Sequence, residues 1–413
     1  MSFKEAVIRS SIILLFSSSL LYSDSDISII EGPDGVASHL QENDDAEGLV
    51  PNLSVMQSYD DWKEELKENT GLSFDLQANI LYQQTGDVLE GRKDNASGGI
   101  YRFSGTWLAF EEENGNTGRI EWRVENRSSL GSLQSPSNLS AAIGIRTVNS
   151  AFTYTDTFDT DIAVLNWTQE FQGRGGFAIG RLAFDIYLDA FIFQTAYKGF
   201  VNRSFIYNPT MPTTGVGALG AVAKAFITDN ILIGAQIYDA NAVSGKFDMD
   251  TFKQHEWLKA VEIAWTPSIG QYKVDRIQFT YWQKDERKIE NIGKGSGWAV
   301  SASHQFSEQL IPFLRFGHST GDASVMAKNS ASMGFEYSLD ETHTWSFGAG
   351  WAEPFKKTVE ENIKDEYVFE ASYKIQVSPN LSFMPDVQYL INPANNLNVD
   401  STWILGLQCI ISL

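Results

Sequence analysis

A period of two, sustained along most of the chain in runs of about ten residues, restricts the fold more than any other feature. Leu72, Phe74, Leu76, Ala78, Ile80 and Tyr82 alternate with Ser73, Asp75, Gln77 and Asn79. Tyr101, Phe103, Gly105, Trp107 and Ala109 alternate with Arg102, Ser104 and Thr106. Ile120, Trp122 and Val124 alternate with Arg119, Glu121, Arg123 and Glu125, and Tyr367, Phe369, Ala371, Tyr373 and Ile375 with Glu370, Ser372 and Lys374. Successive strand side chains point to opposite faces, so each run has an apolar and a polar side. Runs of this length suit a tilted strand crossing the apolar layer of a membrane. Trp and Tyr gather toward run ends, as interfacial belts require. A soluble sandwich would use shorter strands and need a second sheet.

Loop lengths set the strand number. Short turns fall at 111–117, 172–175, 228–230, 267–272, 307–309, 339–342 and 377–380. Long connections fall at 86–98, 185–215, 240–255, 284–295, 319–329, 353–364 and 391–400. Bacterial barrels put short turns on the periplasmic side and long loops outside. The alternation holds if 128–160 is one long outer loop, with 142–148 as structure inside it. It predicts an all-β fold, a transmembrane antiparallel β-barrel of 16 strands: 72–82, 99–110, 118–127, 161–171, 176–184, 216–227, 231–239, 256–266, 273–283, 296–306, 310–318, 328–338, 343–352, 365–376, 380–390 and 401–413. An even number leaves both termini in the periplasm, and a barrel of this size encloses an aqueous lumen.

The N-terminal region fits that location. Lys4 and Arg9 precede an apolar stretch, Ser11 to Leu21, followed by Ser23 and Ser25. This order reads as a secretory signal over residues 1–23, too short to span a bilayer. Residues 24–70 carry 13 acidic and two basic side chains, a net −11 of the chain's −21. They are expected to form a flexible acidic periplasmic segment with one short helix near 57–69, ended by Gly71. This segment is too short to be the plug of an active transporter. The barrel then occupies 71–413. The mean hydropathy of −0.21 is compatible, because only alternate residues face lipid. Nucleic acid is excluded as a partner by the lack of a basic face.

Parity assigns the lumen. Arg102, Arg119, Glu121, Arg123 and Glu125 point inward, with Arg127 at the loop end. On the lipid side each would cost a few kcal/mol near the midplane, so they must meet water. Arg181 and Asp185 lead toward the long third outer loop, where Arg203 lies; Lys224, Arg276 and Arg315 are further lumen candidates. Guanidinium forks and carboxylates together suit polyhydroxyl solutes, the first donating to hydroxyl pairs and the second accepting from them. Ring faces of Phe200, Phe205 or Tyr207 offer stacking surfaces. The plainer reading is that these charges hydrate the lumen and pin the loop to the wall.

Several stretches resemble the carbohydrate-selective porin family, the OprB-type sugar porins. They are Trp62, Leu66, Gly71 and Phe74 at the barrel's start; Gly98-Gly99; Gly180-Arg181-Leu182, Asp185 and Phe191; and Phe200-Val201-Asn202, Phe205, Asn208-Pro209 and Pro212. Gly217-Ala218 and Tyr238-Asp239-Ala240-Asn241-Ala242 follow. The most specific piece is Ser378-Pro379-Asn380-Leu381, Pro385-Asp386-Val387-Gln388-Tyr389, Asn392-Pro393 and Gly406. The likeness covers 60–413. It implies a 16-stranded outer-membrane pore, monomeric and without cofactor, whose third loop narrows the lumen for passive diffusion of small carbohydrates. It places Asn202 and Arg203 in that loop beside the arginines and carboxylates named above. Asp60-Asp61-Trp62 replaces the family's usual Trp-Gly-Gly opening. Leu413 stands where outer-membrane barrels commonly show an aromatic to the assembly machinery. Outer-membrane lipids complete the expected partners.

Other signals weigh less. Gly215-Val216-Gly217-Ala218-Leu219-Gly220 matches a dinucleotide fingerprint as a string, but period two continues after it where a helix is required. Those glycines suit a strand start where loop and wall approach closely. His39, His255, His304, His318 and His343 lack metal-ligand spacing, and Cys409 allows no internal disulfide. Two alternatives remain beside a sugar porin: a general diffusion porin, and an outer-membrane barrel hydrolase built near His255 or His318.

Overall fold

In a computed structural model, which describes residues 28–44, 46–51, 54–157, 159–246, 251–355 and 363–413, the period-two runs close into a single barrel. Its strands are β1 (Leu72–Thr85), β2 (Asn95–Glu111), β3 (Thr117–Ser129), β4 (Thr160–Phe171), β5 (Gly175–Leu182), β6 (Ala218–Phe226), β7 (Ile231–Asp239), β8 (Trp257–Trp265), β9 (Arg276–Lys284), β10 (Gly295–Ser303), β11 (Leu310–Gly321), β12 (Ala327–Ser338), β13 (His343–Pro354), β14 (Glu366–Ser378), β15 (Leu381–Ile391) and β16 (Ser401–Ser412). Each strand pairs antiparallel with its sequence neighbours, and β1 closes on β16 from Gln77↔Ser412 to Thr85↔Ile404. All sixteen predicted strands are present; the largest boundary shift is at β2, which starts at Asn95. Loop two (130–159) is one connection; it carries helix α3, Pro136–Ile143, and of the stretch 142–148 only Ala142 and Ile143 are helical, the helix stopping at Gly144 with φ +92°.

The wall is inverted relative to a soluble protein. In β9 the polar Arg276, Gln278, Thr280 and Lys284 are buried, while Ile277, Phe279 and Tyr281 are exposed. The same holds in β16, where Leu405 is 55% exposed and Gln408 is fully buried. Among the described residues no helix is long and apolar enough to cross a membrane.

The interior is packed by inserted segments. Loop three (183–217) carries the short helices α4 (Phe184–Tyr187) and α5 (Arg203–Ile206) and is buried along most of its length. Phe191, Phe193, Phe200 and Phe205 of this loop pack with inward-facing Phe313 of β11, at ring-centroid distances of 5.0 to 6.4 Å. Glycine in the wall makes the room: a Cβ on Gly348 would lie 2.6 Å from the Phe205 ring.

The acidic N-terminal segment departs from expectation. The described residues of 24–70 form two helices, α1 (Val36–Asp44) and α2 (Ser54–Thr70), where one was expected. Residues 28–40, expected as a flexible lead-in, are mostly buried inside the barrel, α1 running against β1, β2 and β3. Ile30 and Val36 join the apolar core, and the acids find lumen arginines, so both halves of its composition are satisfied there. Helix α2 ends as predicted, at Gly71, whose φ of +72° needs no Cβ and whose N–H returns to the Lys67 carbonyl. The expected secretory signal lies outside the described residues.

Candidate functional site

β3 carries Arg119, Glu121, Arg123, Glu125 and Arg127 on its inner face, a ladder of strictly alternating charge. Its ends are eight residues apart, roughly 27 Å of strand, most of the height of an apolar band. β2 places Arg102 opposite Glu125 and Ser104 opposite Arg123. The Glu125 carboxylate accepts from Arg102 Nε and Arg127 Nε, both at 2.6 Å. Arg123 Nε donates to Ser104 Oγ at 3.2 Å. Toward the short-turn end, Arg119 donates to Glu121 at 2.6 Å, Glu31 at 2.8 Å and Glu170 at 3.1 Å.

The inserted N-terminal segment meets this ladder through a tight turn. Gly32-Pro33-Asp34-Gly35 closes with the Gly35 N–H on the Gly32 carbonyl at 3.0 Å, Pro33 and Asp34 forming the corner. Arg102 forks onto both Asp34 carboxylate oxygens, at 2.7 and 3.3 Å. Arg123 reaches one of them at 3.3 Å and the Asp34 carbonyl at 2.7 Å. Burial would raise the Asp34 pKa, but the guanidiniums of Arg102 and Arg123 outweigh it and hold the carboxyl at about 2. Burial, reinforced by the charge of Glu121, pushes Glu31 up to about 7.

Loop three faces the same cluster. Tyr197 lies under the Arg102 guanidinium at 4.9 Å. Asp185 of α4 is partly exposed; burial and the nearby charge of Asp34 push its carboxyl up to about 6. Asn202 caps α5 by accepting from the Ser204 N–H at 2.9 Å and donates to Gln388 at 2.9 Å. The Glu370 carboxylate takes the main-chain N–H groups of Val201 and Asn202. Glu366 does the same for loop two, accepting from Arg146, Thr147 and Val148 N–H.

Of the residues singled out from sequence, Arg102, Arg123 and Glu125 form one connected cluster through Asp34, with Asp185 electrically close to it, while Glu121 belongs to a second group with Arg119, Glu31 and Glu170. Arg181 is engaged elsewhere, donating to Asp161 Oδ1 at 2.7 Å and to the Ile162 carbonyl. Arg203 is fully buried between Phe152 and Tyr207, 4.1 and 5.1 Å from their rings, and burial pushes its pKa down to about 10. Lys224, Arg276 and Arg315 grip loop three, on the Tyr187 carbonyl, the Ala190 carbonyl and the Asp189 carboxylate. For these three the plainer reading, pinning the loop to the wall, describes the contacts. Phe200 and Phe205, considered as stacking surfaces, are wholly buried against other rings, and Tyr207 packs edge-on to Phe184. Gly215 and Gly217 stand where a Cβ would meet the Ala242 carbonyl and Arg181, and a strand follows them, which disposes of a nucleotide loop. His318 contacts Asn329 and the Trp298 ring.

Sequence reasoning missed Asp34 and Glu31. The available signal was the Pro-Asp-Gly turn inside an acidic stretch, which marks a corner but not where the corner goes.

Comparison with known proteins agrees with this architecture. The structure of Pseudomonas putida OprB at high pH superposes with a TM-score of 0.67 at 14% identity, covering 86% of this chain and 97% of that one. A mutant of Rh. blastica porin gives 0.51 at 10% identity, covering 83% and 100%. These show the fold. Porin AaxA of Chlamydia muridarum (strain MoPn / Nigg) is 24% identical over 224 residues, 52% of this chain and 47% of the relative. Porin AaxA of Chlamydia pneumoniae is 25% identical over 271 residues, 62% and 59%. The chain thus spans about half the length of the curated relatives it matches. Residues 123–413 match the carbohydrate-selective porin, OprB family, and with a closed 16-stranded barrel around them the chain belongs to that family.

Proposed function

We propose that this chain is a pore of the bacterial outer membrane through which small carbohydrates diffuse passively, selected at the Arg102–Arg123–Glu125 cluster beneath loop three. The observation that carries this reading is the alternating charge ladder of β3, buried inside a closed barrel and facing the Asp185 end of loop three. Pores choose solutes by width, field and hydrogen bonds along the wall. Donor forks and acceptor carboxylates at one level offer a polyhydroxyl solute both halves of its hydrogen bonding. The exposed apolar outer face fits a lipid surround, with the long loops outside and the N-terminal segment on the periplasmic side. A monomeric barrel delivered by the assembly machinery belongs to the same reading.

Arg181 and Arg203 then support loops rather than touch solute, while Asp185 and Asn202 stand on the loop that narrows the lumen. A general diffusion porin is favoured by one observation: every arginine of the ladder already has an internal acceptor. Liposome swelling with a sugar series separates the two. The sugar reading expects monosaccharides to enter faster than amino acids of similar size; equal rates reduce the chain to a general porin. Among the described residues, His255 lies beside the Trp257 ring and His318 beside Asn329 and the Trp298 ring.

A further inference from the structure

The Asp34 turn shows which chemistry the arginine pair accepts. The two guanidiniums are almost fully buried, 3% and 1% exposed in their side chains, and both converge on one carboxylate. That carboxylate is carried by a segment that forms no strand of the barrel. Among the described residues, the hydrogen bond from the Gly32 N–H to the Ile186 carbonyl is the only main-chain pair linking 28–44 to the rest of the protein. Its remaining polar links involve side chains, such as Glu31 with Arg119 and Ser38 with Lys273. Loops two and three, by contrast, are held by several main-chain groups each.

Take the turn away and the level holds Arg102, Arg123 and Arg127 against Glu125, with Asp185 facing from loop three. Cations then outnumber the wall carboxylate, and Arg123 keeps only its contact to the Ser104 hydroxyl among those described. Paired guanidiniums with unfilled donors in a site this enclosed favour a carboxylate over a neutral hydroxyl. The two carboxyls left at this level can accept hydroxyl protons from the same ligand.

We propose that Arg102 and Arg123 form a carboxylate-binding site for sugar acids, and that the segment 28–44, through Asp34, is its resident and displaceable occupant. This rests on the pore reading above and narrows it, from carbohydrates to carbohydrates bearing a carboxylate. A solute entering the site replaces Asp34 and moves the turn from the lumen.

The test uses the full chain folded in detergent, its fold checked by heat-modifiable gel mobility. Gluconate and glucose are titrated by calorimetry into the native protein, Asp34→Asn and Asp34→Ala. Gluconate should bind either variant at least about tenfold more tightly than the native protein, and glucose should change by less than about twofold. Adding Arg123→Ala to Asp34→Asn should remove the gain, whereas Arg123→Lys should retain part of it. Equal gluconate affinity in native and Asp34 variants overturns the proposal, as does a gain that survives Arg123→Ala. If the Ala variant fails to fold, the near-isosteric Asn variant decides. In planar bilayers the Asp34 variants should conduct more than the native chain, and equal conductance overturns the occupant's role. A barrel that never conducts removes the pore reading, while the calorimetry still decides whether the carboxylate site exists.

Discussion

Glu370 of β14 holds Asn202 of loop three by the main chain, its carboxylate accepting the Asn202 N–H at 3.1 Å and the neighbouring Val201 N–H at 2.7 Å. Asn202 then uses its side chain to cap α5 and to reach Gln388. One wall carboxylate therefore fixes the loop that fills the lumen. Removing it strands two buried donors, at ~1–3 kcal/mol each. Glu370→Ala should give a folded barrel with larger and noisier single-channel current. Glu370→Gln, which keeps one acceptor, should show a smaller change. Quiet current of native size in the Ala variant would show that the loop is held by its aromatic cluster instead.

Arg123 and Arg181 are equivalent on sequence, yet their surroundings separate them. Arg123 faces the lumen cluster, and Arg181 is tied to Asp161 between β4 and β5. Sugar block of conductance should weaken roughly tenfold or more in Arg123→Ala, since a hydrogen bond to a charged group is worth ~1.5–3 kcal/mol. Arg181→Ala should change block by less than about threefold but lower the unfolding midpoint, because Asp161 is left buried beside an empty place. The reverse pattern in conductance titrations would move the selecting site to loop three's outer end.

The barrel is legible in the sequence because its signal is local and repeated. Period two in β1, β2, β3 and β14 marks the strands, and turn length sets their order and parity. Parity also places the ladder residues correctly, since a one-residue slip would throw five charges to the outside. What a string of residues does not contain is which side chain an inward arginine meets. Arg203 and Arg123 look alike in sequence, but one is sealed between rings and the other meets Asp34. The N-terminal segment escapes sequence reasoning for the same reason: acidic composition without periodicity resembles disorder unless a basic lumen waits to receive it. Phe200 and Phe205 look like open stacking faces because nothing in the string shows that Gly348 of β13 lies where the Phe205 ring packs.

Asp185 and Glu31 give the lumen a pH dependence outside the strands. With Asp185 raised to about 6 and Glu31 to about 7, both lose their protons as pH climbs from 5 to 8. The lumen becomes more negative, so the preference for potassium over chloride should rise in two overlapping steps. For stability the sign is opposite. A carboxyl raised above its unfolded value stabilises the fold fully below that value and loses the contribution as pH passes the folded pKa. Asp185→Asn should therefore remove the lower selectivity step and raise the unfolding midpoint at pH 7 relative to the native chain. Reversal potentials in a salt gradient and denaturant titrations at pH 5 and 7 measure both. A lower step that persists in the Asn variant belongs to another group.

Leu407 tests whether the apolar face meets lipid. It is 49% exposed near the middle of β16, paired with Tyr82 of β1 and Pro385 of β15, and its outward neighbours Leu405 and Cys409 are uncharged. The outward charge on β8, Lys259, sits near a strand end with Asp285, where its ammonium can reach water. An arginine at position 407 has no such exit. Leu407→Arg should destabilise the barrel folded in vesicles by ~2–4 kcal/mol, the range for a lipid-facing cation at mid-depth. Leu407→Met should change it little. In water a surface arginine costs almost nothing, so an Arg variant as stable as the Met variant would mean that this face is not in contact with hydrocarbon.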